Sequence, residues 1–307
     1  MVQFRRLDPM ANAGPFQRMQ KSAVKSFTLT EPQYERLKER RAELIASAGE
    51  MTVIGYPQRD RLMIHYAFPE VEDFRDHFSM LFDDVIAESS REEAPRGVLL
   101  AFRDRPNRSL ANTIFWGLAL VEGRQWVEMN LFSIPEQEEP SPSIGDDFQV
   151  REATDADRSA IADIEAEVTG ETRLTDAGVA SLFDDARWVR VVTDAAGTVA
   201  AYVALRTEPG GWGIIEDLRI RPALAEALRR PMVEWAISFM RSNGVRRARQ
   251  LLYVDDDASG LALLRDLGFT AGETGLDYTR SVDRAEVSSL IEERRSHGTL
   301  IKFGDWR

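Results

Sequence analysis

The sequence predicts an α/β fold with a mixed sheet (α+β). It predicts two domains, and each is a mixed β-sheet flanked by helices. Prolines mixed with acidic and small residues between Ser133 and Asp147 indicate a linker. After this linker, a strand meander precedes alternating helical and strand-like segments, a pattern typical of a mixed sheet with crossovers. We therefore predict a domain over 1–135, a linker over 136–147, a domain over 148–283 and a helix–strand tail over 284–307.

The second domain is well punctuated. A short strand is predicted at 148–153, and Thr154 then caps a helix with apolar residues at helical spacing. A second short helix is expected at 175–184. Three strands follow, with turns at 194–197 and 209–211, then a helix that ends at Asn243-Gly244. This helix is predicted over 224–242. It is followed by a strand at 248–254, a helix at 258–268 and a strand at 276–282.

The first domain follows the same β-β-α-β-α-β order, which suggests a duplication. Thr30 caps a predicted helix over 30–46, and two strand-like runs form a hairpin around Gln58–Asp60. The later segments are a helix at 71–90, a strand at 96–102, a helix at 109–120 and a strand at 124–132. The tail is predicted to form a helix over 285–296 and a strand over 298–303.

Composition excludes several function classes. The chain of 307 residues has a formal net charge of −12, which argues against binding to nucleic acid or to an anionic membrane. It has no cysteine and three widely separated histidines, so we expect neither thiolate chemistry nor a metal site. The first residues lack the apolar core of a signal peptide and no run reaches membrane-spanning length, so a cytoplasmic protein is expected.

Two motifs in the second domain carry a family resemblance. The stretch IIEDLRIRP, Ile214 to Pro222, precedes the long helix, and DASGLALLRDLGFTAGE, Asp257 to Glu273, lies near the end. With the strand order, they make residues 148–282 resemble the GCN5-related N-acetyltransferase (GNAT) family. The first domain is similar to the non-catalytic half of tandem acetyltransferases such as mycothiol synthase. The resemblance implies two tandem GNAT-like domains.

The resemblance implies an acyl-CoA site, with acetyl-CoA as co-substrate and no metal. Backbone groups of Leu218 and Ile220 would pair with the pantetheine arm, and Asp257 takes the place of a family asparagine. The pyrophosphate would lie at the helix after Pro222, where unpaired amides favour an anion. The loop there has no glycine, so Arg229 and Arg230 would supply charge; a solvated arginine pair is the alternative.

The resemblance also assigns a carboxylate on the strand as the base that deprotonates the attacking amine. Glu216 and Asp217 are both candidates; alternatively each forms an ion pair with Arg206, Arg219 or a neighbouring strand. Strict alternation predicts that Glu216 shares a face with Leu218 and Ile220, and that Asp217 lies on the other face. The family's acid, a tyrosine, falls on a leucine, Leu264; the nearest phenols, Tyr253 and Tyr278, are expected to be packing residues.

The resemblance implies an acyl-CoA-dependent N-acyltransferase acting on a small-molecule amine or a protein amine. The glycine-free loop and Leu264 leave open a catalytically inactive GNAT-like protein that binds a ligand or a partner. The tail strand can complete a sheet in its own domain or in another chain, so a homo-oligomer is also open.

Overall fold

The computed structural model describes residues 14–26, 29–89, 95–103, 108–135, 144–185, 188–208, 210–254 and 258–298. The described helices are α1 (Pro15–Lys21), α2 (Glu31–Arg40), α3 (Val71–Ser89), α4 (Arg108–Gly117), α5 (Arg158–Thr169), α6 (Asp176–Asp185), α7 (Ala225–Ser242), α8 (Ala258–Asp266) and α9 (Arg284–Gly298). The strands are β1 (Val24–Ser26), β2 (Ile45–Ala48), β3 (Met51–Gln58), β4 (Arg61–Phe68), β5 (Gly97–Arg103), β6 (Val121–Leu131), β7 (Phe148–Glu152), β8 (Trp188–Asp194), β9 (Val199–Glu208), β10 (Trp212–Ile220), β11 (Arg247–Tyr253) and β12 (Thr270–Arg280).

The chain forms two compact units. Unit 1 comprises Met1–Pro57, Arg61–Gly123 and Leu276–Arg307, and unit 2 comprises Gln58–Asp60 and Arg124–Gly275. The units do not coincide with the two halves of the sequence. Unit 2 takes the β3–β4 turn and most of β6 from the first half, and unit 1 takes the end of β12 and α9 from the second.

In unit 1, the sheet order is β2-β3-β4-β5 followed by the end of β12. β4 and β5 are parallel. The core lies between this sheet and the apolar faces of α3 and α4, and aromatic rings fill much of it. The fully buried rings are Tyr66, Phe68, Phe74, Phe78, Phe82 and Phe115. Burial of such large side chains is the main favourable term in folding this unit.

In unit 2, the sheet runs from the start of β12 through β6-β11-β10-β9-β8-β7. The strands β7, β8, β9 and β10 form an antiparallel meander, and β10 and β11 are parallel. Alternate residues of β9 point to opposite faces. Ala201, Val203 and Leu205 pack against α7 and α8, whereas Tyr202 and Ala204 pack against α5 and α6.

The predicted mixed α/β fold is confirmed. The hairpin, the meander and the α7–β11–α8 succession form where the pattern places them, but β12 begins at Thr270, six residues before its predicted start at Leu276. The helix predicted over 30–46 is wrong in its last turns, because the chain leaves α2 at Arg40, forms a 3-10 helix at Ala42–Leu44 and continues as β2. Residues 136–143 of the predicted linker and the tail strand lie outside the described residues, and the four-part division stays a prediction.

The carboxylate of Asp157, at the start of α5, stabilises the fold in a pH-dependent way. Asp157 accepts hydrogen bonds from both terminal nitrogens of Arg151, at 2.7 and 2.6 Å, and from the Thr154 amide at 2.8 Å. The Arg151 hydrogen bonds and those from Thr154 lower the pKa of Asp157 from 3.8 to about 2, although burial opposes them. Because the pKa is lower in the folded state, this carboxylate stabilises the fold above pH 4, and that stabilisation is lost as the pH falls toward 2.

We therefore expect Asp157→Asn to lower the free energy of unfolding by about 1–2 kcal/mol at pH 7, since Arg151 is partly exposed to solvent. Denaturant unfolding at pH 7, 5 and 3 should show the gap to the wild type closing in the most acidic sample. Asp155→Asn is the matched control, because Asp155 lies two residues earlier in the same 3-10 helix and pairs with Arg158 at 2.7 Å, but its side chain is 87% exposed. A gap that is constant with pH would contradict the assignment.

Candidate functional site

The parallel pairing between β10 and β11 is short. It runs from Trp212 opposite Arg247 to Ile215 opposite Gln250 and, over the described residues, goes no further. A β-bulge interrupts the β9–β10 register between Ile215 and Asp217, which makes Glu216 the extra residue. Bulges bend a strand and terminate pairing, and they are frequent beside active sites. Beyond Ile215, β10 therefore keeps β9 as a partner and leaves β11.

Beyond Ile215, the edge of β10 on the side opposite β9 carries the backbone groups of Leu218 and Ile220. The Arg221 amide donates to the Ala200 carbonyl on β9 at 3.0 Å. Backbone groups of successive strand residues point to opposite edges, so Asp217 and Arg219 direct theirs toward β9 as well. Leu218 and Ile220 direct their amides and carbonyls toward the opposite edge. These are the two residues for which the sequence predicted backbone pairing with a pantetheine arm.

Unit 1 has the same arrangement, but its edge is filled. β4 and β5 are parallel from Arg61 opposite Gly97 to Ile64 opposite Leu100. Over the next residues of β4, the short strand β1 pairs antiparallel with it, with Ser26 opposite Tyr66 and Val24 opposite Phe68. The Ser26 hydroxyl also donates to the Ala101 carbonyl of β5. In unit 1, a strand of the protein itself thus occupies the edge that corresponds to Leu218 and Ile220.

The bulge brings both candidate bases to the α5 face of β10, so the prediction of strict alternation is wrong. Leu218 packs against the α7 core together with Ile215 and Ile220. Glu216 lies 3.7 Å from Arg206 and accepts a hydrogen bond from Gln58 at 3.4 Å. Asp217 forms ion pairs with Arg219, at 3.4 Å, and with Arg59.

The two carboxylates differ in exposure and in how firmly they are held. The Glu216 side chain is 19% exposed, and both of its contacts are long for hydrogen bonds. The Asp217 side chain is 3% exposed and lies between two guanidinium groups. Of the two, Glu216 has the more accessible oxygens.

Asp217 belongs to a buried charge cluster that also contains Glu165 and Arg219. Glu165, on α5, accepts hydrogen bonds from Arg219 at 3.2 Å and from the buried Tyr202 hydroxyl. Burial raises the pKa of Glu165, but the charges of Arg219 and Arg59 outweigh it and the net pKa is lowered. Burial, followed by the Glu165 charge, raises the pKa of Tyr202. Glu165 is therefore a carboxylate, with Tyr202 as its neutral donor.

Sequence reasoning missed Arg59 and Glu165 as neighbours of Asp217. Arg59 was assigned only to a hairpin turn and Glu165 only to a helix. The one signal in the sequence was the turn itself, Gln58-Arg59-Asp60, because a two-residue hairpin turn normally carries Asn-Gly or Asp-Gly.

The junction between β10 and α7 uses its own amides. Residues Pro222–Leu224 form a 3-10 helix, in which the Leu224 amide donates to the Arg221 carbonyl at 2.9 Å and the Ala225 amide to the Pro222 carbonyl. Two amides at the junction that is predicted to face an anion, those of Leu224 and Ala225, are therefore paired inside the turn.

The two arginines of this helix differ. Arg229 donates to the Ser259 hydroxyl at 3.3 Å, at the start of α8. Arg230 is held by Asp266 and by Glu234, at 3.2 Å, and these hydrogen bonds raise the pKa of Arg230. The carboxylates of Asp266 and Glu234 therefore compete with any bound anion for the Arg230 guanidinium. Asp257, the remaining predicted cofactor residue, lies outside the described residues.

The position of the expected tyrosine is part of the core. Leu264 is 1% exposed and packs with the α7 side of the sheet. Tyr278 is buried in unit 1 and donates to Asn112. Tyr253 ends β11 with Arg124 stacked 3.7 Å above its ring. Burial lowers the pKa of the Arg219 guanidinium, but Glu165, Tyr202 and, to a smaller extent, Tyr253 outweigh it and raise that pKa.

Among the described residues, no group of three or more histidine, aspartate or glutamate side chains is placed to hold a metal ion. None of the described helices combines the length and the apolar character that a membrane span requires.

Neither a model of a known protein family nor a curated protein sequence matches the chain. Solved structures do. A GCN5-related N-acetyltransferase from Sphaerobacter thermophilus aligns with a TM-score of 0.53 and 15% identity, over 76% of this chain and 76% of that chain. A protein assigned as an acetyltransferase from Pyrococcus horikoshii aligns with a TM-score of 0.52 and 11% identity, over 81% and 77%. The chain has the fold of GNAT acetyltransferases, as its sequence motifs predicted.

Proposed function

We propose that the protein is an acyl-CoA-dependent N-acyltransferase whose acyl-transfer site lies in unit 2. The observation that carries the proposal is the edge of β10 after the bulge at Glu216, with which none of the described strands pairs. A pantetheine arm contains two amide groups and can add to a strand edge as an extra strand does, through backbone hydrogen bonds. Leu218 and Ile220 are the residues that offer such groups.

The difference between the two edges supports the proposal that unit 1 is the non-catalytic copy. Its corresponding edge on β4 already pairs with β1, so an acyl-CoA would have to displace a strand of the protein. Glu70 precedes α3, Glu72 and Asp73 lie in its first turn, and these carboxylates repel phosphate groups. We therefore propose one acyl-CoA per chain.

Within unit 2, we assign the base to Glu216. An ammonium group must lose a proton before it attacks a thioester, and a carboxylate accepts that proton directly or through a water molecule. Glu216 is partly exposed and loosely held, whereas Asp217 is buried between two arginines. Because Leu264 offers no proton, the departing CoA thiolate leaves without an acid from that position. The acceptor is a small-molecule or protein amine, and acetyl-CoA is the proposed donor.

Acetyl-CoA binding tests this proposal. We expect acetyl-CoA at 100 times its dissociation constant to stabilise the protein by about 2.7 kcal/mol, since it binds only the folded chain. Calorimetry should give one equivalent per chain. Amide exchange followed by NMR should show slower exchange for Leu218 and Ile220, while Asp217 and Arg219, whose amides face β9, serve as internal controls.

No thermal shift at millimolar acetyl-CoA would refute the proposal, and two equivalents per chain would refute the assignment of unit 1. Arg229→Ala and Arg230→Ala, measured separately, test the phosphate contact. We expect Arg230→Ala to change acetyl-CoA binding little, because two carboxylates already hold Arg230.

A second function is favoured by the junction to α7 and by Leu264. A protein in which the Leu224 and Ala225 amides of this junction are paired internally, and in which the expected acid is a core leucine, fits a non-catalytic GNAT-like module that binds a ligand or a partner. The two functions separate when acetyl-CoA is mixed with a panel of primary amines. Acetyl-CoA binding without thiol release would support the non-catalytic module.

A further inference from the structure

The turn that joins β3 to β4 has an unfavourable backbone conformation. Arg59 and Asp60 have φ values of 50° and 60°, in the left-handed region. A two-residue hairpin turn requires this geometry, and glycine and asparagine adopt it at the least cost. Strain of this kind persists where the surrounding structure holds the residue in place, and it is frequent at functional sites.

The turn Gln58–Asp60 belongs to unit 2, and other residues of this unit contact each of its three residues. The Gln58 side chain donates to Glu216 at 3.4 Å. The Arg59 amide donates to the Ser181 hydroxyl at 3.0 Å. Asp60 accepts hydrogen bonds from Thr175, including the amide at 2.7 Å, and Thr175 immediately precedes α6. The side chains that replace the usual Asn-Gly thus dock the turn against α6 and β10.

The charges of the buried cluster balance only when Arg59 is counted. Glu165 and Asp217 have side chains 8% and 3% exposed, and Arg219 contacts both, at 3.2 and 3.4 Å. One guanidinium against two carboxylates leaves one negative charge, and Arg59 pairs with it at Asp217. Removing one partner of a buried ion pair is strongly destabilising, because the remaining charge has lost both water and its counter-ion.

We propose that Arg59 is a positioning residue of the acyl-transfer site: it supplies the second cation of the Glu165–Asp217–Arg219 cluster and, through Asp217, holds the bulge that presents Glu216. This inference rests on the function proposed above. Arg59 does not contact the reacting groups. It acts because Asp217 follows Glu216 directly in the strand, so a displaced Asp217 backbone carries Glu216 with it.

Chemical rescue of Arg59→Ala tests the proposal. We expect this variant to melt about 10 °C below the wild type, given the cost of an unpaired buried charge. Millimolar methylguanidinium should restore part of the melting temperature, because the vacated site matches its shape and charge. We expect kcat for amine acetylation to fall about 10²-fold from misplacement of the base. KM for acetyl-CoA should stay close to the wild type, and methylguanidinium should raise kcat again.

Arg173→Ala is the matched control. Arg173 is an arginine of unit 2 that pairs with Asp163 at 2.6 Å with both side chains nearly half exposed. Its removal should leave kcat unchanged, and methylguanidinium should have no effect on its melting temperature. If Arg59 has a purely structural role, Arg59→Ala should have a lower melting temperature, and methylguanidinium should not raise its kcat. That result would overturn the proposal.

A double variant covers the case in which Arg59→Ala does not fold. Arg59→Met combined with Asp217→Asn removes both charges, and it should melt above Arg59→Met alone. A double variant that melts no higher than the single one would overturn the charge balance.

If wild-type protein fails to bind acetyl-CoA, the proposed function falls and this role with it. If the wild type binds acetyl-CoA while Arg59→Ala keeps its stability and kcat, only the role of Arg59 falls.

Discussion

Replacing Glu216 with glutamine is expected to lower kcat for amine acetylation by about 10²–10⁴-fold, the usual contribution of a positioned general base. Glutamine has nearly the same shape but cannot accept the proton of an ammonium group. The Gln58 hydrogen bond and the bulge do not require a charge at this position, so acetyl-CoA binding should stay near the wild-type value. Thiol release measured with a panel of primary amines gives kcat, and calorimetry gives the affinity for acetyl-CoA.

Glu152→Gln is the matched control for this variant. Glu152 lies on β7 of the same unit and pairs with Arg190 at 2.9 Å, but its side chain is 78% exposed. We expect kcat to be unchanged in Glu152→Gln. If Glu216→Gln also keeps full activity while Asp217→Asn loses it, the base has been assigned to the wrong neighbour. A mere rise in KM for acetyl-CoA would show that Glu216 binds the donor rather than accepting a proton.

Leu228→Ala is expected to lower the free energy of unfolding by about 2–5 kcal/mol, the range for a buried leucine whose removal leaves a cavity. Leu228 is 1% exposed and packs in the same core as Ile220, at the end of β10. It therefore fixes the first turns of α7 against the strand that carries the open edge. Denaturant unfolding followed by tryptophan fluorescence measures the loss.

Glu226→Ala, two residues earlier on the same helix, is the control, because Glu226 is exposed. We expect a change within about 0.5 kcal/mol for this surface position. Leu228→Ala should also weaken acetyl-CoA binding, since a loosened α7 no longer holds the junction in one geometry. Equal stabilities of the two variants would contradict the packing of α7 on β10.

Local pattern was enough to place most elements. The turn at Asp194–Gly197 forms as predicted, with the Asp194 carboxylate accepting from the Ala196 and Thr198 amides. Thr154 begins the segment that leads into α5, and α7 ends next to Asn243. Such features depend on residues only a few positions apart, so a single sequence contains the information.

The faces of β10 could not be predicted by the same means. Alternation assumes a regular ladder, and one inserted residue reverses the faces of everything after it. The bulge at Glu216 depends on the register with β9, which is a property of two strands. The sequence analysis consequently placed Glu216 beside Leu218, whereas the structure places it beside Asp217 on the α5 face.

The sequence by itself determined the mixed α/β architecture, the order of most strands and helices apart from α1, β1 and β2, and the strand that carries Glu216 and Asp217. Hydrophobic spacing, helix caps and turn residues act over a few positions, so they can be recognised in a single sequence. Only the tertiary structure decided which edge of β10 is open, that β1 fills the matching edge of β4, and that Arg59 completes the charge balance at Asp217. Those features join residues up to 158 positions apart, such as Gln58 and Glu216. Their contact depends on the packing of whole elements, which no local pattern encodes.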